Sequence, residues 1–229
     1  MGDFGTDKSL MSVGEAARAL RRSPTRVRQL LRSPASELAG VRIGSQWVVQ
    51  VDSLPPPAYK GHPLSPRSAW AVLLEVHPGP GLRSLRLSRS ELARARDRLK
   101  LDLQELHWRC VSRATSYYYW VPSVSAYRGL TLVCTGVSAP STGMESPDEI
   151  EGYVLGAQAR RKLEQQHRLL PVNRGRHNIV IREVPEGIDP FDGAAVAPPL
   201  AVAIDLLDTR DPRAATAARD LAQQILGRS

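Results

Sequence analysis

Ten residues do most to limit what this chain can fold into. Leu54-Pro55-Pro56-Pro57-Ala58-Tyr59-Lys60-Gly61-His62-Pro63 holds four prolines and a glycine. Proline fixes φ and removes a backbone donor, so neither a helix nor an interior strand can run through such a stretch. An extended, semi-rigid linker is expected over residues 54–63, with a domain boundary there. The 229 residues then divide into a short N-terminal part and a long remainder. The pattern predicts a flexible arm over 1–11, a compact module over 12–53, a helical segment over 64–110 and an α/β domain over 111–229.

Charge divides along similar lines. The net charge is +8. Residues 1–60 carry nine basic and five acidic side chains, residues 61–115 ten and five, and residues 116–229 twelve and thirteen. A basic half beside a neutral half suggests a polyanion as partner of the first. An arginine-rich, GC-biased genome would give the same excess without a partner. No window approaches eighteen apolar residues, so no ordinary membrane helix is expected. Met1-Gly2-Asp3-Phe4-Gly5 lacks the basic start and apolar core of a secretory signal. The two cysteines, Cys110 and Cys134, cannot build a disulfide framework, so a reducing cytoplasm is the expected location.

The N-terminal module is patterned closely. Ser12-Val13-Gly14-Glu15 is a capping box, followed by Val13, Ala16, Ala17 and Leu20 on one helical face. Arg21-Arg22 ends that helix. Ser23-Pro24 starts another, with Ser23 as N-cap and Pro24 in the first turn. Val27, Leu30 and Leu31 form its apolar face. Thr25, Arg28, Gln29 and Arg32 recur on the opposite face, flanked by Arg26. Arginine and glutamine suit bidentate contacts with guanine and adenine in the major groove. Ser23 and Thr25, with the first-turn N–H groups, suit a phosphate. Val41–Val49 reads as two strands around Gly44-Ser45. Ile43 and Trp47–Val49 are expected to close the core, and Arg42, Ser45 and Gln46 to project as a wing.

These strings, SVGEAARALRRSPTRVRQLL and GVRIGSQWVV, resemble the winged helix-turn-helix of excisionase- and MerR-type DNA-binding domains. The likeness lies in the Glu15-Ala16-Ala17 helix, the Ser23-Pro24 start and the Gly44-x-x-Trp47 wing. The loop Ser33–Ala39 is longer than usual, and Gln46 stands where such wings often carry arginine. The resemblance implies binding of double-stranded DNA; a homodimer would bind two half-sites about one helical turn apart. The alternative is a structural helical hairpin with a solvated basic face.

Farther on, Ser65-Pro66 and the box Ser88-Arg89-Ser90-Glu91 start helices. Leu92, Ala95, Leu99, Leu103 and Leu106 suggest one long apolar stripe, for core packing or a dimer seam. Gly79-Pro80-Gly81 reads as a turn. Tyr117-Tyr118-Tyr119-Trp120 reads as a strand with rings on both faces, suited to a covered strand, a partner surface or a stacking platform for single-stranded nucleic acid. Further strands are expected at Leu130–Cys134, Glu151–Val154, Asn178–Val184 and Leu200–Leu207. A helix over Ala157–Leu169 should turn Arg160, Arg161 and Lys162 outward. Asp211-Pro212 should cap a last helix with Ala214, Ala217, Ala218, Leu221 and Ile225 inward. The fold class is α/β (α+β), a winged helix-turn-helix followed by helices and a mixed domain.

Glu151-Gly152-Tyr153-Val154, Asn178-Ile179-Val180-Ile181-Arg182 and Ala203-Ile204-Asp205-Leu206 before Asp211-Pro212-Arg213 resemble the C-terminal region of AbiEi-type antitoxins of actinobacteria. That likeness implies an autorepressor whose C-terminal domain counteracts a nucleotidyltransferase toxin, so a toxin is the implied protein partner. An excisionase-like architectural protein is the alternative of the same kind.

No catalytic, metal or cofactor site emerges. The histidines His62, His77, His107, His167 and His177 are dispersed, and no Cys-x-x-Cys, Walker A, dinucleotide-binding or Gly-x-Ser-x-Gly pattern occurs. The best acidic cluster is Asp205, Asp208 and Asp211. With Asp205 at a strand end, it would suit a metal-dependent nuclease or transferase, but Asp211 has a use as a cap and no lysine lies near. Asn173-Arg174-Gly175-Arg176-His177 is a basic turn that could hold phosphate or simply face water.

Overall fold

A computed structural model describes residues 10–20, 22–32, 38–50, 61–77, 79–144, 148–172, 177–209 and 211–227. The expectations for the arm over 1–9, the loop around Pro34, the linker up to Lys60 and the basic turn at 173–176 lie outside the described residues. The protein is mixed α/β, and its chain divides into two compact units, Met1–Lys60 and Gly61–Ser229.

The first unit starts with a short strand β1 (Leu10–Ser12), where sequence suggested the end of an arm. Helix α1 (Val13–Ala19) follows directly. Its capping box is formed: the Glu15 N–H donates to Ser12 Oγ at 3.2 Å and the Ser12 N–H to Glu15 Oε2 at 2.8 Å. Helix α2 (Pro24–Arg32) begins at Ser23, whose Oγ accepts from the Arg26 N–H at 3.2 Å. Strands β2 (Gly40–Ile43) and β3 (Gln46–Gln50) make a hairpin in which Ile43 faces Gln46. The two-residue turn has φ +60° at Gly44 and none at Ser45, the pattern of a type II′ turn, which takes glycine first.

The sheet order is β1-β3-β2, all antiparallel. Directly paired residues share a face. Met11, Val49 and Gly40 thus face one way, with Trp47 and Arg42. On that side Val49 joins Val13, Ala16, Ala17, Val27 and Leu38 in a core. Gly40 is required there, since a Cβ would lie 2.8 Å from the Leu31 side chain and closer still to the backbone of Val48. Ile43 lies on the other face, paired with Gln46, and is 59% exposed. The expectation that it closes the core fails because the period of two places Arg42, not Ile43, on the face of Trp47 and Val49.

The second unit opens with α3 (Pro66–Glu75), capped by Ser65, then α4 (Pro80–Ser84), α5 (Arg89–Arg98) and α6 (Leu103–Arg109). Gly79-Pro80-Gly81 is the start of α4 rather than a free turn. The stripe from Leu92 to Leu106 is not one helix: α5 stops at Leu99, and Asp102 caps α6 by accepting from the Glu105 N–H at 2.8 Å. Of the five residues, only Ala95 and Leu106 are fully buried. A local aspartate cap has overridden the longer apolar period.

A four-stranded sheet follows, ordered β4-β7-β6-β5. Its strands are β4 (Thr115–Tyr119), β5 (Val133–Cys134), β6 (Ile150–Leu155) and β7 (Ile179–Val184). Leu130, Thr131 and Leu132 do not join β5. The pair β6 and β7 is parallel and spanned by α7 (Gly156–His167), a βαβ crossover, while the outer pairs are antiparallel. On one face Leu163 of α7 meets Tyr119, Val154, Ile179 and Ile181. On the other, α3 and two last helices, α8 (Pro199–Leu206) and α9 (Pro212–Leu226), share a core with Tyr153 and Val184. Trp70 sits at the centre of that core, with its indole N–H on the Arg113 carbonyl at 2.9 Å and rings of Tyr153 and Phe191 edge-on at 5.4 and 5.3 Å.

Residues Leu200–Leu207 are therefore not a strand. They are α8 and its cap, begun by Pro199 in the first turn, with every residue from Leu200 to Leu206 buried. A short apolar run buried on all sides carries no period, so sequence cannot separate a central strand from a helix enclosed by its neighbours. Two smaller corrections concern α7 and α9. Arg160 turns inward onto Glu164 and Glu183, although Arg161 and Lys162 are exposed. The inner face of α9 is centred on Ala214, Ala218 and Ala222, with Ala217, Leu221 and Ile225 only half-buried.

Candidate functional site

The expected contact residues lie together on the first unit. Thr25, Arg26, Arg28, Gln29 and Arg32 are all exposed along α2, while Val27 between them is fully buried. Ser23 sits at the start of the helix. Arg26 Nη1 donates to Gln29 Oε1 at 3.2 Å, one turn on, which holds both polar ends over the helix surface. Arg42, Ser45 and Gln46 are exposed at the hairpin tip. Arg18 and Arg22 of the same unit are exposed as well. Among the described residues of this unit Glu15 is the sole acid, and its carboxylate is held below the usual range by the Ser12 N–H and hydroxyl. The surface is thus strongly positive, with arginines whose guanidinium groups reach water.

The second unit, beside exposed basic residues such as Arg161 and Lys162, holds one group of charges turned inward. Arg182 stands mid-strand on β7, on the face of Val180 and Val184, and is 1% exposed. Arg113 follows α6 in a short 3-10 turn and is 3% exposed. Both point at the C-terminal end of α8. Arg113 Nε lies 2.9 Å from Asp205 Oδ1 and its Nη2 also binds that carboxylate. The same Nη2 reaches Asp208 Oδ2 at 2.7 Å. Arg182 lies 3.4 Å from Asp205 and 3.3 Å from Asp208. Tyr153 donates its hydroxyl to Asp205 Oδ1 at 2.8 Å, the Thr135 hydroxyl binds the other Asp205 oxygen, and His107 Nε2 meets Asp208 Oδ1 at 2.7 Å. Glu151 completes the group, its Oε2 3.4 Å from Arg182 Nη2.

The electrostatics follow from burial and pairing. Burial opposes the charge on Arg113, but Asp205 and its neighbours outweigh it and raise the guanidinium further above its ordinary value. Burial likewise opposes Asp208, yet Arg113, His107 and Arg182 hold that carboxyl well below the usual range. Glu151 goes the other way: burial pushes it up to about 7, with Arg182 pulling only partly back.

This geometry bears on the acidic cluster read from sequence. Asp205 and Asp208 are indeed adjacent, as three-residue spacing on a helix requires. They sit at the end of a helix rather than of a strand, and both carboxylates are engaged by two arginines. Asp211 stands apart from them as the cap of α9, accepting from the Arg213 N–H at 2.8 Å. A divalent ion would have to displace guanidinium groups that cannot give up their charge. Sequence reasoning missed Arg113, Arg182, Glu151, Tyr153, Thr135 and His107 as members of this group. One signal was available: Arg182 and Asp205 each interrupt a run otherwise apolar, and buried charges need partners of opposite sign.

The aromatic run resolves into separate roles. Tyr119 is buried in the sheet and donates to Glu164 Oε1 at 2.6 Å, Tyr117 lies under the Arg160 guanidinium at 4.0 Å, and Tyr118 tilts against His177 at 4.8 Å. Trp120 is 54% exposed. With three rings engaged in these different ways and only the fourth exposed, the run does not form a continuous stacking surface. Among the described residues no helix is long and apolar enough to cross a membrane.

No curated protein and no solved structure matches the chain. A family model described as a transcriptional regulator, AbiEi antitoxin of type IV toxin–antitoxin systems, matches residues 108–227. That span contains the whole buried ion group except His107. It covers more than half of the 229 residues, and the protein belongs to the AbiEi_2 family of antitoxin regulators.

Proposed function

We propose that this protein is a sequence-specific DNA-binding repressor of its own operon and the antitoxin partner of a nucleotidyltransferase-type toxin. The observation that carries the DNA reading is the exposed face of α2, where arginine, glutamine and threonine recur outward opposite a buried Val27. In this reading the first unit is a winged helix-turn-helix and α2 lies in the major groove. Arg28, Gln29 and Arg32 read base edges, with Thr25 and Arg26 at the rim. Ser23, Arg42, Ser45 and Gln46 hold the phosphate backbone, which positions the helix without carrying sequence information. The family supports a regulator and antitoxin role. The ion group in the second unit supports a scaffold that presents a surface to a protein rather than a reaction centre. The cytoplasm is the compartment where such a repressor works.

The test is binding of the intact protein to its own promoter and to scrambled DNA over a salt series. Promoter-selective binding with a steep loss of affinity at higher salt is expected. Equal affinity for both sequences would remove the repressor reading. Co-purification with the product of the adjoining gene, and loss of that toxin's effect when both are expressed, tests the antitoxin half.

A further inference from the structure

A cavity of about 530 Å³ opens at the β5 edge of the four-stranded sheet. Its size falls in the range that holds a small organic ligand, about 300–1,000 Å³. Leu130, Leu132, Val137 and Met144 give it apolar walls, and Cys134 and Glu151 also line it. Glycines shape this side: Gly152 lets the Leu132 side chain approach β6, and Gly136, at φ +53°, gives room to the Glu151 carboxyl.

The charge count of the neighbouring ion group singles out Glu151. Arg113 and Arg182 are balanced by Asp205 and Asp208, and His107 stands against Asp208 rather than Glu151. Glu151 is a third carboxyl, 4% exposed, whose one arginine contact is the long 3.4 Å one to Arg182 Nη2. Arg182 is itself shared with Asp205 and Asp208. No donor among the described residues reaches the other Glu151 oxygen. A buried carboxylate without a full counter-charge either takes up a proton or gains a cation.

We propose that this cavity is a binding site for a small organic cation, a molecule with an apolar body and an ammonium group that pairs with the Glu151 carboxylate. The apolar walls would take the body, and the nitrogen would give Glu151 a closer counter-charge than the shared Arg182 guanidinium. The groups that face Glu151 are Arg182 from β7, Asp205 and Asp208 from the end of α8, and Glu149 from its own segment. Asp205 and Asp208 are already paired with arginines, and on the cavity wall itself Glu149 and Glu151 stand with Arg128. Carboxylates thus outnumber cations two to one among the described lining residues, and the site favours a cation over an anion. The cavity is built by residues of the second unit alone, and its assignment does not depend on the DNA reading.

The chain carries its own reporter. Cys134 lines the cavity, whereas Cys110 is fully buried with its thiol pushed up to about 12 and serves as the unreactive control. Alkylation of Cys134 by iodoacetamide would be followed by mass spectrometry on the full-length protein, with n-hexylammonium and 1-hexanol as probes of equal length. Hexylammonium should slow alkylation saturably, with 1-hexanol needing at least about tenfold more, as a charge-assisted hydrogen bond demands. The preference should grow from about pH 6 to about pH 8, because the probe stays charged while a proton competes for Glu151 only at the lower pH.

Glu151→Gln should erase the preference, and Met144→Trp, which puts a bulkier side chain into the cavity wall, should abolish protection by both probes. Equal potency of the two probes, an undiminished preference in Glu151→Gln, or protection that survives Met144→Trp would each overturn the proposal. So would protection by neither probe at about 10 mM, a concentration at which even a weak site is occupied.

Discussion

Two groups of arginines, one in each unit, are used in opposite ways. In the first, Arg26, Arg28, Arg32 and Arg42 are exposed and Glu15 is the sole described acid. In the second, Arg113 and Arg182 are almost wholly buried and face Asp205, Asp208 and Glu151. The first arrangement does little for the fold. Like charges at the surface repel one another and are tolerated where a partner neutralises them. The second ties the unit together. Arg113 comes from the turn after α6, Arg182 from a central strand and the two aspartates from the end of α8, so one charge group joins three parts of the chain. Solvation explains the contrast. A guanidinium in water keeps its hydration until a polyanion displaces it, whereas a buried one has already lost its water and depends on its carboxylates.

Removing a carboxylate from the buried group should give the largest effect. Asp205→Ala takes one of two shared aspartates from both buried guanidinium groups and should cost about 3–5 kcal/mol of stability in the second unit. Denaturant unfolding followed by the buried Trp70 would measure it, and a loss well under 1 kcal/mol would show that the ion group contributes little to the fold.

The next effect is a slope with pH. Glu151 has its pKa raised by burial to about 7 in the folded protein, so between the ordinary carboxylate range and about 7 the folded state holds a proton that the unfolded state has lost. Stability contributed by that proton is present at low pH and is lost as pH rises through this window. Glu151→Gln should remove the slope, and wild type and variant should diverge most above pH 7. Asp208 acts in the opposite sense. Its carboxyl is held low, so its contribution is lost as pH falls below the ordinary carboxylate range. Unfolding midpoints measured from strongly acid to mildly alkaline pH would show both limbs, and parallel curves for wild type and Glu151→Gln would refute the first.

On the exposed side the same kind of change should leave folding alone. Arg28→Ala should weaken promoter binding by about 1–3 kcal/mol and relax sequence preference at one position, with the unfolding midpoint unchanged. An equal loss on promoter and scrambled DNA would instead identify Arg28 as a phosphate contact. The smallest effect expected is that of the α1 cap. Ser12→Ala should destabilise the first unit by about 1 kcal/mol, read as faster amide exchange in α1 with no change in the second unit.

Some of this was legible from residues a few positions apart. The capping boxes at Ser12 and Ser88, the Ser23 start of α2 and the Gly44-Ser45 turn all formed as read, because each is fixed by contacts within four residues. The polar face of α2 was legible for the same reason, since helical periodicity alone decides which side chains share a face. The failures have a common form. Leu200–Leu207 looked like a strand because apolar residues enclosed on every side lose their period. Leu92–Leu106 looked like one helix because Asp102 acted locally within a longer pattern. Ile43 looked like core because it is apolar, yet the register of the hairpin turned it to the surface.

The sequence by itself determined the short-range elements, the positive N-terminal surface and the resemblance to antitoxin regulators. Local hydrogen bonds and periodicity are enough for these. Only the tertiary structure decided that Asp205 and Asp208 meet arginines 92 and 26 residues away, at Arg113 and Arg182, and that Glu151 lies beside them with less than a full counter-charge. Such pairings depend on which strand lies next to which and which helix end covers them, and no local rule carries that information along the chain.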